Sequence, residues 1–150
     1  MREKFTSDLY GLMKADENIM FITADVGYFF LDKIKKDFRD RFFNVGAAEQ
    51  VMMDIAIGMT LRGKIAIVYS ITPFLLFRPF ESIRLYLDRE KIPVVMVGTG
   101  RGNEYETASH YAGDDDIIKC FKNIRFIEED DFNLREILYS KKPTYLNLKR

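Results

Sequence analysis

The chain has no tryptophan, one cysteine, one histidine and four prolines among its 150 residues. The lone cysteine, Cys120, cannot close an internal disulfide, which fits a reducing compartment. One Cys and one His cannot build a zinc site, and no Asp/Asn spacing matches a calcium or magnesium loop. No metal site is therefore expected in this chain. Every apolar run falls far short of the roughly 18 residues a membrane helix needs. The amino terminus, Met1-Arg2-Glu3-Lys4-Phe5, is charged and has no apolar run behind it, unlike a signal peptide. A cytoplasmic protein is expected, with no membrane association. Charge of one sign is not in excess either, since 23 basic residues balance 23 acidic ones. No basic stripe suggests nucleic acid and there is no acidic tail. Internal repeats, low-complexity tracts, linkers and a Gly-x-Ser-x-Gly nucleophile elbow are all missing.

What remains is a chain of single-domain length, 1–150, able to bury roughly 70% of the surface its unfolded form exposes. Aromatics are abundant, with 13 Phe and 8 Tyr. Too many for the core suggests an apolar interface with something else. Phe5, Leu9, Leu12 and Met13 recur at helical spacing over residues 3–15. Continuous apolar runs then mark strands covered on both faces: Ile19–Ala24, Phe42–Val45, Lys64–Tyr69, Pro93–Val97, Ile124–Ile127 and Thr144–Leu148. Helices are predicted between them at Leu31–Phe38, Ala47–Leu61 (capped by Gly63), Pro73 to about Glu90, Asp114–Phe121 and Phe132–Tyr139. The alternation predicts an α/β fold, a doubly wound and mostly parallel sheet with helices on both faces. Both termini fall inside or beside regular elements, which reads as one complete compact domain.

The most informative stretch is Arg41-Phe42-Phe43-Asn44-Val45-Gly46-Ala47-Ala48-Glu49-Gln50. It reads as a buried strand, a glycine turn and a helix opening on a carboxylate. That junction lies at the carboxyl edge of the sheet, where open α/β folds bind ligands. Glu49 in such a first turn is either a partner of the helix dipole or a desolvated acid with a raised pKa. The rest of the chain favours the second. Phe74, Phe77 and Phe80 recur at i, i+3 and i+6 after the third strand, again at the carboxyl edge. Such spacing usually means core, with a ligand pocket as the alternative. His110 lies in the loop after the fourth strand, either as a proton carrier or hydrogen-bond donor or as a solvated surface residue. Val97-Gly98-Thr99-Gly100-Arg101-Gly102 is not a dinucleotide fingerprint, because its third glycine is misplaced and no helix follows directly. It reads as a flexible loop with close backbone approach to a ligand.

In this order, the pieces resemble the pyrimidine-binding domain of the transketolase family, which includes 1-deoxyxylulose-5-phosphate synthase and dehydrogenase E1 β subunits. The resemblance runs from Ala24-Asp25-Val26-Gly27 to Arg150. It is densest in Phe42 to Gln50 and in Val68-Tyr69-Ser70-Ile71-Thr72-Pro73-Phe74. It implies thiamine diphosphate as cofactor. The matching glutamate, Glu49, would share a proton with the aminopyrimidine ring nitrogen para to the amino group, which needs a carboxyl of raised pKa. Phe74, Phe77 and Phe80 match aromatics lining the pyrimidine pocket, and Asp25 falls among the cofactor-binding positions. His110 matches a substrate-contacting, catalytic histidine. Glu106 stands where transketolases commonly have an aspartate for a substrate hydroxyl, and Arg150 matches an arginine gripping substrate phosphate.

The family's Gly-Asp-Gly motif and downstream Asn, which hold the diphosphate and its Mg2+, are not in this sequence. The resemblance therefore implies that this chain holds only the aminopyrimidine half of the cofactor. A separate pyrophosphate-binding subunit would carry the magnesium, in a homo- or hetero-oligomer that acts on a small-molecule substrate. Ketol transfer between sugar phosphates is the expected reaction. The alternatives are a non-catalytic or regulatory assembly subunit, a 2-oxoacid decarboxylase or dehydrogenase subunit, or a nucleotide-binding α/β domain of another class.

Overall fold

The computed structural model describes residues 1–27, 29–100, 114–128 and 130–148. Its strands are β1 (Ile19–Thr23), β2 (Phe42–Asn44), β3 (Ile65–Ile71), β4 (Val95–Thr99), β5 (Arg125–Ile127) and β6 (Thr144–Asn147). They form one sheet in the order β2-β1-β3-β4-β6-β5, parallel at every pairing. The helices are α1 (Arg2–Ala15), α2 (Asp32–Asp37), α3 (Glu49–Leu61), α4 (Thr72–Phe77), α5 (Phe80–Ser82), α6 (Asp114–Ile118) and α7 (Leu134–Tyr139). The doubly wound α/β architecture expected from the sequence is the observed one.

The continuous apolar strands have a direct cause: both faces of the sheet are covered. Successive side chains alternate across it. Phe21, Ile67, Tyr69, Val95, Val97 and Leu146 point into one core with Phe5, Leu9 and Met13 of α1. Ile22, Ala66, Val68, Met96 and Tyr145 point into the other with Met52, Met53 and Ala56 of α3 and Leu75 and Leu76 of α4. On the first face Phe5, Phe21 and Tyr69 pack ring on ring, with centroids 6.1–6.4 Å apart. The strand order reverses direction beside β1, with β2 on one side and β3 on the other. That arrangement opens a crevice at the carboxyl ends of the strands.

Helix α3 starts two residues later than expected. Ala48 keeps a non-helical backbone (φ −136°, ψ 65°) as the N-cap, and Glu49 becomes the first helical residue. The far end is a Schellman motif around Gly63. Gly63 adopts φ +82° and donates to the Thr60 carbonyl at 3.0 Å, while Lys64 donates to the Met59 carbonyl at 3.1 Å.

Two sequence expectations need correction. The helix from Pro73 to Glu90 is not continuous. It stops after Phe77, resumes for one turn at Phe80–Ser82 and then widens into a π-helix over Ile83–Arg89. Pro79 explains the break: it has no N–H and its ring clashes with the preceding turn. Secondly, Gly98 is not in a ligand-facing loop. It pairs with Ser70 and Asn147 within the sheet. A Cβ there would lie 2.5 Å from the Tyr145 hydroxyl and 2.6 Å from Thr72 Oγ1. The close approach at Gly98 is thus to the protein's own buried side chains.

Candidate functional site at the carboxyl edge of the sheet

Glu49 is placed by three local features. Strand β2 ends at Asn44, Gly46 turns the chain at φ +74°, and α3 then runs back over β3 and β1. Asn44 organises the turn. Its carboxamide oxygen accepts from the backbone N–H groups of Gly46 and Asp25, each at 3.0 Å, and its amide donates to Asp25 Oδ1 at 3.4 Å. The loops after β1 and β2 are thereby tied together, with Asp25 held exposed in the left-handed region at φ +53°.

Only 2% of Glu49 is exposed. Burial of that kind needs partners, and there are two. Ser70 Oγ, at the end of β3, donates to Oε1 at 3.3 Å. Arg78 Nη1 donates to Oε2 at 2.6 Å. The pair is asymmetric, with side-chain exposures of 44% for Arg78 and 1% for Glu49. The same guanidinium lies over the Phe74 ring at 3.8 Å from its centroid. Carboxylate, guanidinium and ring therefore form one layered cluster at the rim of the sheet.

The structure divides the three phenylalanines. Phe74 is half-buried beneath Arg78. Phe77 is 48% exposed. Phe80, beyond the Pro79 break, packs on Phe121 with centroids 5.6 Å apart. None is fully buried, but Phe80 packs against the second core and fits the core reading, whereas Phe77 is exposed; the fully buried apolar side chains on the core face of α4 include Leu75 and Leu76. Next to this cluster Gln50 bonds Ser82 Oγ at 2.7 Å and Asp54 at 3.0 Å, which links α3 to α5. Glu106, His110 and Arg150, all expected at the substrate end of the site, lie outside the described residues. Among the described residues no group of three or more His, Cys, Asp or Glu converges on one point. No described helix is long and apolar enough to cross a membrane.

Arg78, Ser70 and Asn44 are site residues that sequence reasoning does not single out. Arg78 does carry a signal: it is the only charged residue between Lys64 and Glu81. It also falls four residues after Phe74, where helical geometry brings side chains together.

Residues 1–113 match the family model for the transketolase pyrimidine binding domain. The chain belongs to that family. A Methanocaldococcus jannaschii protein with the provisional name of a transketolase C-terminal section is 32% identical over 159 aligned positions, covering 100% of this chain and 50% of that protein. One of the subunits of the apulose-4-phosphate transketolase from Actinobacillus succinogenes is 33% identical over 93 positions, covering 60% of this chain and 30% of that protein. Among solved structures, a split-gene transketolase described as an inactive beta4 tetramer superposes with a TM-score of 0.83. It is 27% identical and covers 97% of this chain and 50% of that one. A Pichia stipitis transketolase in complex with xylulose 5-phosphate, at TM-score 0.77 and 16% identity, shares the fold. The chain thus spans at most about half the length of these relatives.

Proposed function

We propose that this chain supplies the pyrimidine-binding half of a split, thiamine diphosphate-dependent enzyme of transketolase type, with ketol transfer between sugar phosphates as its reaction. The observation that carries the reading is Glu49: a buried carboxylate at the carboxyl edge of the sheet, beside an aromatic face. The side chains present fit an aminopyrimidine. The Arg78 guanidinium, a planar N–H donor lying over Phe74 with Nη1 on Glu49 Oε2, is a stand-in for such a ring. When bound, thiamine diphosphate supplies a carbon nucleophile for a substrate carbonyl.

Within this chain, Glu49 would be the group that shares a proton with the aminopyrimidine ring nitrogen. Ser70 fixes the other carboxylate oxygen, so the acid keeps one orientation. Phe74 offers a π-face, and flat rings bind aromatics by offset stacking with little hydrogen bonding. Phe77, half exposed, reaches toward the second wall of the cleft. A separate subunit carries the diphosphate and Mg2+ ligands, and His110, Glu106 and Arg150 contact substrate. The half-length match to split-gene relatives supports this division of labour.

The test is Glu49→Gln in the complex reconstituted with the pyrophosphate-binding subunit. Glutamine keeps size and hydrogen bonding but cannot share the proton. General acid–base groups typically contribute about a hundred- to ten-thousand-fold in rate. Proton exchange at the thiazolium carbon, followed by NMR, should slow by that order while the fold persists. Equal exchange rates in wild type and mutant would remove Glu49 from catalysis. They would leave it as a helix-dipole partner worth about 0.3–1 kcal/mol.

A further inference from the structure

We propose that the Arg78 guanidinium is the resident occupant of the aminopyrimidine slot, and that the cofactor ring enters by displacing it from both Glu49 and Phe74. The inference rests on the reading of Glu49 given above. Three observations carry it. First, Arg78 Nη1 stands 2.6 Å from Oε2 of Glu49, which leaves no room for a second donor at the same lone pair. Second, the guanidinium carbon lies 3.8 Å from the Phe74 centroid, so that face of the ring is already covered. Third, the carboxylate side chain is 1% exposed and the arginine 44%. The guanidinium is therefore the lid between Glu49 and solvent.

A guanidinium and an aminopyrimidine share the features this slot selects. Both are planar, both present N–H donors in the ring plane, and both offer a π-face. They cannot share one oxygen and one ring face at the same time. The exposed half of Arg78 gives it somewhere to go, because its long stem can turn into water without disturbing α4. The consequence is a tax on cofactor entry: affinity is reduced by the fraction of molecules in which the arginine fills the slot. Arg78 sets cofactor affinity and exchange in this way. It also keeps a buried carboxylate partnered while the cofactor is away, a state that would otherwise be costly.

The test uses the 150-residue chain and the isolated ring, 4-amino-5-hydroxymethyl-2-methylpyrimidine, titrated by NMR. Arg78→Met should bind it more tightly than wild type, by up to about five-fold, the range expected for removing a competing, half-exposed ion pair. Arg78→Lys, which keeps charge but cannot stack as a plane, should fall between. Arg78→Met leaves Glu49 short of a partner and can fail to fold, so two wild-type readouts accompany it. The Arg78 Nε–H resonance should move toward its free position as the ring binds. Wild-type affinity should also rise between about 50 and 500 mM NaCl, because salt weakens the ion pair being displaced.

A Met variant that binds no more tightly, or an Nε–H resonance that stays put on saturation, overturns the displacement. If in that case ring binding still disappears in Glu49→Gln, the cofactor reading survives alone. If the ring binds neither wild type nor any folded variant, both fail.

Discussion

Gly98→Ala puts one methyl group where the sheet has no room for it. The added Cβ would lie 2.5 Å from the Tyr145 hydroxyl, 2.6 Å from Thr72 Oγ1 and 2.8 Å from Tyr145 Cε2. None of these neighbours can retreat easily. Tyr145 is fully buried, Thr72 likewise, and their hydroxyls are joined by a 3.1 Å hydrogen bond. Overpacking of this kind costs about 1–3 kcal/mol. If the Thr72–Tyr145 bond is broken to make space, about 0.5–1.5 kcal/mol is lost in addition. A total of about 1.5–4.5 kcal/mol should lower Tm by roughly 3–18 °C, at about 2–4 °C per kcal/mol for a chain of this size. Thermal and urea unfolding measure it directly. Gly11→Ala is the paired control: Gly11 lies within α1 with nothing inside 4 Å of its would-be Cβ. The same chemical change there should stabilise by about 0.5–1 kcal/mol. Thr72 opens α4, so a shift at Gly98 also moves Phe74 and Arg78, and ring affinity should fall with stability. A Gly98→Ala protein melting within about 2 °C of wild type would refute the packing argument.

Asp16 gives a pH dependence. Its carboxylate accepts from the Asn18 backbone N–H at 2.8 Å and from the Tyr139 hydroxyl at 2.7 Å, and these bonds, the Asn18 one first, hold its pKa below the ordinary 3.8. The unfolded chain therefore takes up that proton at higher pH than the folded one. The stabilisation is complete above the unfolded value and is lost as pH falls through the folded one. Asp16→Asn should be less stable than wild type near neutrality, and the gap should close below about pH 4; a gap constant with pH would refute it. Phe77→Ser should leave stability within about 0.5 kcal/mol, the usual range for exposed sites, yet weaken self-association or partner binding in analytical ultracentrifugation. If both assemblies are unchanged, Phe77 is not at the interface.

The sheet is legible in the sequence because parallel strands buried on both faces announce themselves as unbroken apolar runs. Ile19–Thr23 and Ile65–Ile71 contain almost nothing else. Element ends are harder. The start of α3 turns on whether Ala48 takes helical or non-helical backbone, a difference that alanine does not signal. The π-helix over Ile83–Arg89 has no composition of its own and is invisible. The break at Pro79 is visible, but the apolar spacing on either side of it argues for one continuous helix. Gly98 misleads for a physical reason: a glycine demanded by a neighbouring Tyr and Thr in the sheet looks the same, in sequence, as one demanded by a ligand.

The site shows a further limit. Glu49 can be placed from strand, turn and helix alone, because local order along the chain fixes which edge of the sheet a first helical turn occupies. Its partners cannot be placed that way. Ser70 comes from β3 and Arg78 from beyond α4, 21 and 29 residues away, and only the closing of the sheet brings them together. What the sequence does offer is a contradiction. A single arginine stands in sixteen residues, Ile65 to Phe80, that otherwise carry no charge, followed by a proline that stops the helix. A cation in such a setting is a ready partner for a buried acid, and it is the buried acid that needs one. Glu49 is the acidic residue that its own surroundings already mark for burial. Pairing the two on that ground requires no structure, and it converts an apparent flaw in an apolar helix into a statement about the site.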